Sequence, residues 1–241
     1  MNKLHLSLAL NVVLAGAAVF FTWKRLQFQH DQKEDRAHHR YWENPQYKEQ
    51  ISIQRTYDKP ADIVMLGNSH IYKAQWNELL DREDIAARGI GSDMTDGYLA
   101  RLDQVLKVHP RIVFIEGGAN DLYYERPIDS IIHNLKELVD TLEKSSIQPV
   151  LHTLLPIVKT DPNADDYNAR VRELNKAIIH LCHRLTISCI DLYALFQKDG
   201  YLAPAYAQED GVHLTGEAYK TWARVILKKL QEKGTPSLTI R

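Results

Sequence analysis

The sequence lacks most of the features that mark specialised classes of protein. It has only two cysteines, Cys182 and Cys189, which are too few and too close together for a metal site or a disulfide framework. We interpret them as small buried side chains, with a disulfide between them as the alternative. Basic and acidic residues nearly balance, 30 against 31, so the chain has no basic excess of the kind that binds nucleic acid. It also has no internal repeat and no low-complexity stretch.

The composition that remains is typical of a globular protein. Of the 241 residues, 44% are hydrophobic and 25% are charged. This is enough material for one α/β domain and an additional N-terminal segment.

The N-terminal segment is the most apolar part of the chain. Residues 4–23 contain no Asp, Glu, Lys or Arg, and about 20 helical residues span roughly the 30 Å of a bilayer core. A secretory signal peptide cleaved near residues 15–17 (AGA) is one interpretation. Because the apolar run continues beyond that point and Trp23 suits a membrane interface, we favour an uncleaved anchor over residues 1–25.

The flanking charges leave the orientation of this anchor open. One lysine precedes the segment and five basic residues follow within about 17 positions, which taken literally would keep the following domain in the cytoplasm. The short N-terminal tail with Lys3 instead resembles a start-transfer signal. We therefore expect a membrane-anchored protein that faces the periplasm or the cell exterior.

Residues 26–55 are predicted to form a polar helical stalk. Residues 24–50 hold six basic and five acidic residues and show no strand pattern. Three histidines lie there, His30, His38 and His39, but no second pair of spaced ligands accompanies them. We interpret them as a solvated helix face and not as a metal site.

Residues 56–234 are predicted to form the main domain, and residues 235–241 a flexible tail. Short apolar runs alternate there with helical patterns, which predicts a parallel sheet with right-handed crossovers. The predicted strands cover residues 62–66, 85–90, 111–116, 148–155 and 187–192. The predicted helices cover residues 73–82, 95–108, 128–145, 166–185 and 215–232.

Four polar or glycine-rich stretches follow strands or precede the last helix of this domain. They are residues 67–70 (GNSH), 88–92 (RGIGS), 117–121 (GGAND) and 210–213 (DGVH). In an open parallel sheet, sites form outside the carboxyl ends of the strands. We therefore expect these four stretches to meet at one edge of the sheet.

Ser69 is, by itself, either a helix cap or a nucleophile at the end of a strand. Acyl transfer requires a hydroxyl, a base, a carboxylate that orients the base, and donors for the developing oxyanion. Ser69, His213 and Asp210 supply the first three, since the spacing of three residues can return the Asp210 carboxylate to the imidazole of His213. Gly89 and Asn120 offer a backbone NH and a side-chain NH2 as donors.

In their order and composition the four stretches resemble the conserved blocks of the SGNH (GDSL-type) hydrolase family, over about residues 60–230. The resemblance is greatest to the branch of the platelet-activating-factor acetylhydrolase catalytic subunits and related bacterial esterases. It implies a flavodoxin-like three-layer α/β/α sandwich with a five-stranded parallel sheet, here preceded by the N-terminal transmembrane helix. It further implies metal-free ester hydrolysis without a cofactor, with Ser69 as nucleophile, His213 as base and Asp210 as its partner. The oxyanion hole would consist of the Ser69 and Gly89 amides and the Asn120 side chain.

Two neighbours of the serine depart from the family pattern. Asn68 replaces the usual aspartate, and His70 either binds substrate or begins the following helix. Tyr123, Tyr124 and Trp76 are further candidates for lining an acyl or sugar pocket.

The predicted activity is hydrolysis of acetyl or other short acyl esters of sugars or lipids. An acyltransferase that uses the same serine is one alternative, and a catalytically silent glycan-binding or lipid-binding domain is the other. The expected partners are a small-molecule, glycan or lipid ester and, through the N-terminal helix, a membrane.

Overall fold

The computed structural model of the protein describes the backbone of residues 3–232 and, within it, the side chains of residues 14–27, 34 and 36–232. The predicted tail at residues 235–241 lies outside the described residues. The chain forms two compact units, which divide between His39 and Arg40. The first unit is the long helix α1, Lys3–His38.

The predicted transmembrane helix is not supported. In the part of the chain that the structure describes, no helix is both long enough and apolar enough to cross a membrane. The expectation was based on a lack of charge over residues 4–23, but a span also requires sustained apolarity over about 18 residues, which is a stricter condition. Part of the segment, the side chains of residues 4–13, lies outside the described residues.

Residues 40–55, which the sequence analysis assigned to a polar stalk, belong to the second unit. They form a short 3-10 helix, Tyr41–Glu43, and helix α2, Pro45–Gln54. Asn44 caps α2, because its Oδ1 accepts a hydrogen bond from Gln46 N at 3.0 Å. Tyr47 and Ile51, one helical turn apart, are buried. This segment is therefore part of the domain's packed structure.

The second unit has the predicted five-stranded parallel sheet. The strands are β1, Ile63–Gly67; β2, Ile85–Gly89; β3, Ile112–Glu116; β4, Gln148–His152; and β5, Ser188–Ile190. Their order across the sheet is β2-β1-β3-β4-β5, and every neighbouring pair is parallel. This is the order of the flavodoxin-like doubly wound folds. The predicted fold class is confirmed in its α/β architecture and its sheet.

The helices cover both faces of the sheet. Val64 and Leu66 of β1 point into one hydrophobic core, and the alternate residues Ile63 and Met65 point into a second core on the opposite face. Helices α8, Ile128–Lys144, and α9, Ala164–Leu185, pack in the first core, and α4, Trp76–Leu80, and α11, Gly216–Glu232, pack in the second. The result is a three-layer sandwich.

The remaining elements are short, and most lie at the ends of the strands. They are α3, Ser69–Tyr72; α5, Thr95–Ala100; α6, Asp103–Leu106; α7, Ala119–Tyr123; α10, Leu192–Phe196; an antiparallel pair, β6, Gln197–Lys198, with β7, Tyr201–Leu202; and a 3-10 helix, Pro204–Tyr206. The single helix predicted over residues 95–108 is therefore two helices. They separate at Arg101, whose side chain is fully buried and pairs with Asp93.

Both cysteines are free thiols. Cys182, near the end of α9, is buried, and Cys189 in β5 is half-buried.

Candidate active site

Ser69 lies at the point where β1 passes directly into helix α3. Asn68, and not Ser69, is the N-cap of this helix, since its Oδ1 accepts a hydrogen bond from His70 N at 2.9 Å. Ser69 is the first residue of α3, so its backbone NH has no acceptor four residues back within the helix. Asn68 therefore takes the capping role that was one of the two interpretations of Ser69. The Ser69 hydroxyl is available for another contact.

Ser69, His213 and Asp210 form one continuous chain of contacts. Nε2 of His213 lies 3.0 Å from Ser69 Oγ, and Nδ1 of the same ring lies 2.6 Å from Asp210 Oδ2. The structure therefore brings together three residues that are separated by up to 144 positions in the sequence. The arrangement has the order hydroxyl, imidazole and carboxylate that nucleophilic acyl transfer requires.

The loop that carries Asp210 and His213 is held by its own hydrogen bonds. Asp210 Oδ1 accepts from the backbone amides of Val212 and His213, both at 2.9 Å, while Oδ2 faces the ring. Gly211 between them has φ of +72°, a conformation that favours glycine. Gln208 N donates to His213 O at 2.8 Å and closes the loop. The carboxylate thus orients both the loop and the imidazole.

The pKa values of the pair are shifted in the direction that a catalytic base needs. Burial acts to raise the pKa of Asp210, but hydrogen bonds from the His213 amide and ring and from the Val212 amide outweigh it and hold this pKa well below its usual range. The pKa of His213 is lowered, chiefly by burial and further by His70 and Lys73, although Asp210 opposes the change. At neutral pH the carboxylate is therefore ionised, and the imidazole is free to accept a proton.

Asn120 lines the same cavity as Ser69, whereas Gly89 is not among the residues that line it. Asn120, the second residue of α7, lines the cavity, and its Nδ2 donates one hydrogen bond to Asp93 O at 2.8 Å. An amide NH2 has a second hydrogen to offer. Gly89 ends β2, and a Cβ at this position would collide with the backbone of Ile71 and Tyr72 in α3. The observed contact of Gly89 is close packing, and its role as an oxyanion donor stays a prediction.

A buried polar network behind the site was not predicted from the sequence. Asp93 and Arg101 are both fully buried, and Arg101 Nε donates to Asp93 Oδ2 at 2.8 Å. Arg101 also donates to the carbonyls of Arg88 and Gly67, at 2.9 and 3.2 Å, so that it joins the ends of β2 and β1. Because Arg101 lies in an otherwise helical pattern, no spacing rule reveals that its side chain turns inward.

A second buried carboxylate, Asp121, supports the loop after β2. It accepts hydrogen bonds from the amide of Thr95, at 3.1 Å, and from its hydroxyl, at 2.5 Å. Burial raises the pKa of Asp121 to about 7, and burial likewise raises that of Asp93 to about 6 despite Arg101. Asp121 follows Asn120 directly, so the structural carboxylate and the cavity-lining amide belong to the same turn.

A small cavity of about 190 Å³ opens beside Ser69. Its apolar lining comes mainly from the segment after β4 and from α7 and α9, and includes Leu155, Pro156, Ile157, Val212, Tyr123 and Tyr167. Polar side chains at the cavity include Asp161 and Asn163. Of the aromatic residues considered as pocket candidates, Tyr123 lines the cavity, whereas Trp76 is completely buried in the second core.

No metal centre is found among the described residues, since nowhere in them do three or more His, Cys, Asp or Glu side chains group as ligands for an ion.

Comparison with known proteins gives a consistent assignment. The chain is 27% identical over 179 residues to thioesterase 1/protease 1/lysophospholipase L1 of Escherichia coli K12, and the match covers 71% of this chain and 81% of that protein. Among solved structures, a GDSL-like lipase from Bacteroides thetaiotaomicron superposes with a TM-score of 0.68 at 22% identity, covering 78% of this chain and 98% of that one.

A second structural relative is an acetylxylan esterase from Geobacillus stearothermophilus. It superposes with a TM-score of 0.61 at 17% identity, covering 77% of this chain and all of that one, 100%. At these identities the two superpositions show the shared fold.

The family assignment itself comes from the sequence. Residues 64–221 match the profile of the GDSL-like Lipase/Acylhydrolase family, and this range runs from β1 to the beginning of α11 and includes all of the predicted site residues. The chain therefore belongs to the GDSL-like lipase/acylhydrolase family of ester hydrolases.

Proposed function

We propose that this protein is a serine esterase that removes short, uncharged acyl groups through an acyl-enzyme. The observation that carries the proposal is the contact chain from Asp210 Oδ2 through His213 to Ser69 Oγ, with separations of 2.6 and 3.0 Å. In this mechanism Ser69 is the nucleophile, His213 the general base and acid, and Asp210 the group that fixes the imidazole tautomer.

The first half of the reaction forms the acyl-enzyme. Ser69 Oγ attacks the ester carbonyl carbon while His213 Nε2 takes the hydroxyl proton, and the charge on the imidazolium is stabilised by Asp210. The Ser69 amide and the Asn120 side chain donate to the carbonyl oxygen as it becomes an oxyanion. When the tetrahedral intermediate collapses, the bond to the alcohol oxygen breaks, and that oxygen takes the proton from Nε2.

The second half releases the acid. A water molecule gives a proton to His213 Nε2 and attacks the acyl carbon, and the bond to Ser69 Oγ then breaks. The serine oxygen recovers the proton from the imidazolium, which returns the site to its starting state.

Size and charge of the cavity support a short acyl group. Its volume of about 190 Å³ is below the roughly 300 Å³ at which pockets for drug-sized ligands begin. The residues that line it, all of them in the described part of the chain, include Asp161 but no Lys or Arg to neutralise an acidic acyl group, and His70, which also lines it, faces the Glu116 carboxylate. Acetyl and similar esters fit these conditions, and the acetylxylan esterase among the structural relatives supports acetylated sugars as the first substrates to test.

A fluorophosphonate probe tests the nucleophile directly. Wild-type protein should be labelled, and Ser69→Ala should not be. Ser130→Ala, which removes an exposed serine hydroxyl on α8, is the matched control and should be labelled like wild type. Equal labelling of Ser69→Ala and wild type would refute the proposal.

An acyl-chain series tests the substrate class. With p-nitrophenyl esters from acetyl to octanoyl, kcat/KM should be highest for the shortest chains and fall as the chain exceeds the cavity. A maximum at octanoyl would contradict the assignment to short acyl groups while leaving the esterase intact.

A further inference from the structure

His70, the residue after the nucleophile, has a buried side chain that the mechanism above does not use. Only 5% of the residue is exposed, and its Nε2 lies 3.2 Å from the carbonyl oxygen of Val212. A carbonyl oxygen can only accept a hydrogen bond, so Nε2 of His70 carries the hydrogen. This bond joins α3, which begins at Ser69, to the loop that carries Asp210 and His213.

The other ring nitrogen faces a buried carboxylate. His70 Nδ1 lies 3.8 Å from Oε2 of Glu116, the last residue of β3, and the exposed fraction of Glu116 is 0%. Within the described part of the chain, neither oxygen of Glu116 nor His70 Nδ1 has a hydrogen-bond partner. Two bare acceptors at this distance would repel each other in a buried site, so a proton must lie between them.

The surroundings assign that proton to His70. Burial lowers the pKa of His70, but the Glu116 carboxylate, the Val212 carbonyl and Asp210 together outweigh burial, and the pKa is raised. An imidazolium beside the carboxylate also satisfies the Val212 carbonyl through its second N–H. The geometry and the raised pKa of His70 together favour an imidazolium paired with the Glu116 carboxylate, next to Ser69.

The positive ring of His70 lies close to the catalytic base. The ring centroids of His70 and His213 are 5.5 Å apart. The other ionisable or charged groups that face His213 are Asp210 in its own loop and Lys73 at the end of α3. Around His70 they are Glu116, Asp210 and His213, while Tyr219 of α11 donates its hydroxyl to the His70 carbonyl at 2.8 Å.

We propose that the protonated His70, held over Glu116, is a positioning residue for His213: it anchors the Asp210–His213 loop through the Val212 carbonyl and disfavours protonation of the His213 ring. This inference rests on the proposed function, because it assumes that His213 acts as the base. It extends that function by giving a structural cause for the lowered pKa of the base. It also assigns a role to a residue at which the chain departs from the GDSL pattern.

The test compares His213 in wild type, His70→Gln and the double variant His70→Gln/Glu116→Gln. Glutamine keeps a donor for the Val212 carbonyl but removes the positive charge, and the double variant also removes the carboxylate. In His70→Gln the pKa of His213, followed by NMR of the labelled imidazole, should rise by about one pH unit, as expected for removal of a charge at this distance. In the double variant the rise should be smaller, because two opposite charges are removed together. The acid limb of the kcat/KM profile with p-nitrophenyl acetate should move by the same amount, while kcat at high pH stays within a few-fold.

His133→Gln is the matched control, since it removes an exposed imidazole on α8. It should move neither the NMR titration nor the acid limb. A His213 titration that is identical in wild type and both His70 variants would overturn the proposal, as would an equal loss of kcat/KM at every pH, which indicates a merely structural role.

Two readouts remain informative if a variant does not fold or if the protein does not hydrolyse esters. In wild type the imidazole of His70 should carry protons on both nitrogens at pH 7, and a neutral His70 ring there would refute the inference without any variant. The NMR titration of His213 requires no turnover, so absence of hydrolysis would contradict the proposed function while the link between His70 and His213 is still tested.

Discussion

The carboxylates near this edge of the sheet are of two kinds, which differ in their exposure to solvent and in the direction of their pKa shifts. Asp210 lies in a surface loop with 46% of its side chain exposed, and its pKa is lowered. Asp93 and Asp121 are buried behind the site, and their pKa values are raised to about 6 and about 7. The comparison distinguishes a carboxylate that contacts His213 from carboxylates that hold the surrounding loops in place.

The opposite shifts have one physical explanation. Burial acts to raise the pKa of Asp210, but this carboxylate accepts three hydrogen bonds, two from backbone amides and one from the His213 ring, and together they outweigh burial. Asp121 accepts hydrogen bonds from the backbone amide and the hydroxyl of Thr95. It is buried and has lost nearly all its water. Stabilisation of the anion therefore prevails in the loop, whereas desolvation prevails in the interior. The carboxylate that contacts His213 is kept ionised at the solvent boundary, and the buried carboxylates order the loops around it.

Asp210→Asn should have the largest effect on activity. The amide would favour the wrong tautomer of His213, so kcat with p-nitrophenyl acetate should fall by about 10³-fold to 10⁴-fold. Because Asp210 lies at the surface, thermal unfolding should change little. A variant with near-normal kcat would show that the exposed carboxylate is not the partner of the base.

Arg101→Met should have the largest effect on stability. It leaves the Asp93 carboxylate buried without its ion-pair partner, and it removes the donors to the ends of β1 and β2, so the free energy of unfolding should fall by about 3–5 kcal/mol. Urea denaturation measures this change.

Arg111→Met is the matched control for that measurement. Arg111 pairs with Asp62 through two hydrogen bonds of 2.5 and 2.7 Å, but its side chain is largely exposed, so the expected loss is at most about 1 kcal/mol. Equal losses for the two arginines would contradict the distinction between interior and surface pairs.

Asn120→Ala tests the residue that joins the two groups. Its side chain faces the cavity and also donates to the Asp93 carbonyl. If it supplies an oxyanion donor, kcat should fall by about 10²-fold to 10³-fold. Asn134→Ala is a suitable comparison, because Asn134 Nδ2 donates to Thr95 Oγ1 in the supporting network, and its kcat should stay within a few-fold of wild type. Similar kcat values for the two variants would exclude a separate catalytic role for Asn120.

Asp121→Asn should change the pH dependence of stability. The folded pKa of about 7 lies above the unfolded value of about 3.9, so between these values the folded state binds more protons than the unfolded state. Wild-type stability should therefore decrease as pH rises from about 4 to about 7, with a contribution from this group of up to about 1.4 kcal/mol per pH unit. Urea unfolding at pH 5 and pH 7.5 should show a weaker decrease in the variant. An unchanged slope would show that Asp121 is ionised throughout.

Much of the fold could be predicted because each central strand is a short, continuous apolar run. Such runs suit a strand that is buried on both faces, and all five were assigned to the right part of the sequence. The loops of the site could be predicted for a related reason, since polar residues at the ends of parallel strands must meet at one edge. Ser69, Asp210 and His213 are close in space as the sequence analysis expected.

The parts that escaped prediction depend on contacts between distant segments. The inward turn of Arg101 is decided by Asp93 and by two strand-end carbonyls, which no local pattern encodes. Helix α2 was taken for a solvated stalk because its composition is polar, although Tyr47 and Ile51 have the spacing of one buried face. The contact between His70 and Glu116 joins two elements that are 46 residues apart in the sequence.

The close contact of Gly89 with α3 limits how far the first turn of that helix, which carries Ser69, can move. Because the backbone of β2 touches the backbone of α3 directly at this position, no rotatable side chain lies between the sheet and the first turn of the helix. Elsewhere in a core, side chains can change rotamer and allow small movements, but at this contact there is no intervening side chain that could do so. The end of β2 therefore fixes the position of the helix that carries Ser69. In Gly89→Ala the added methyl group would collide with the backbone of Ile71 and Tyr72 and displace Ser69 from His213.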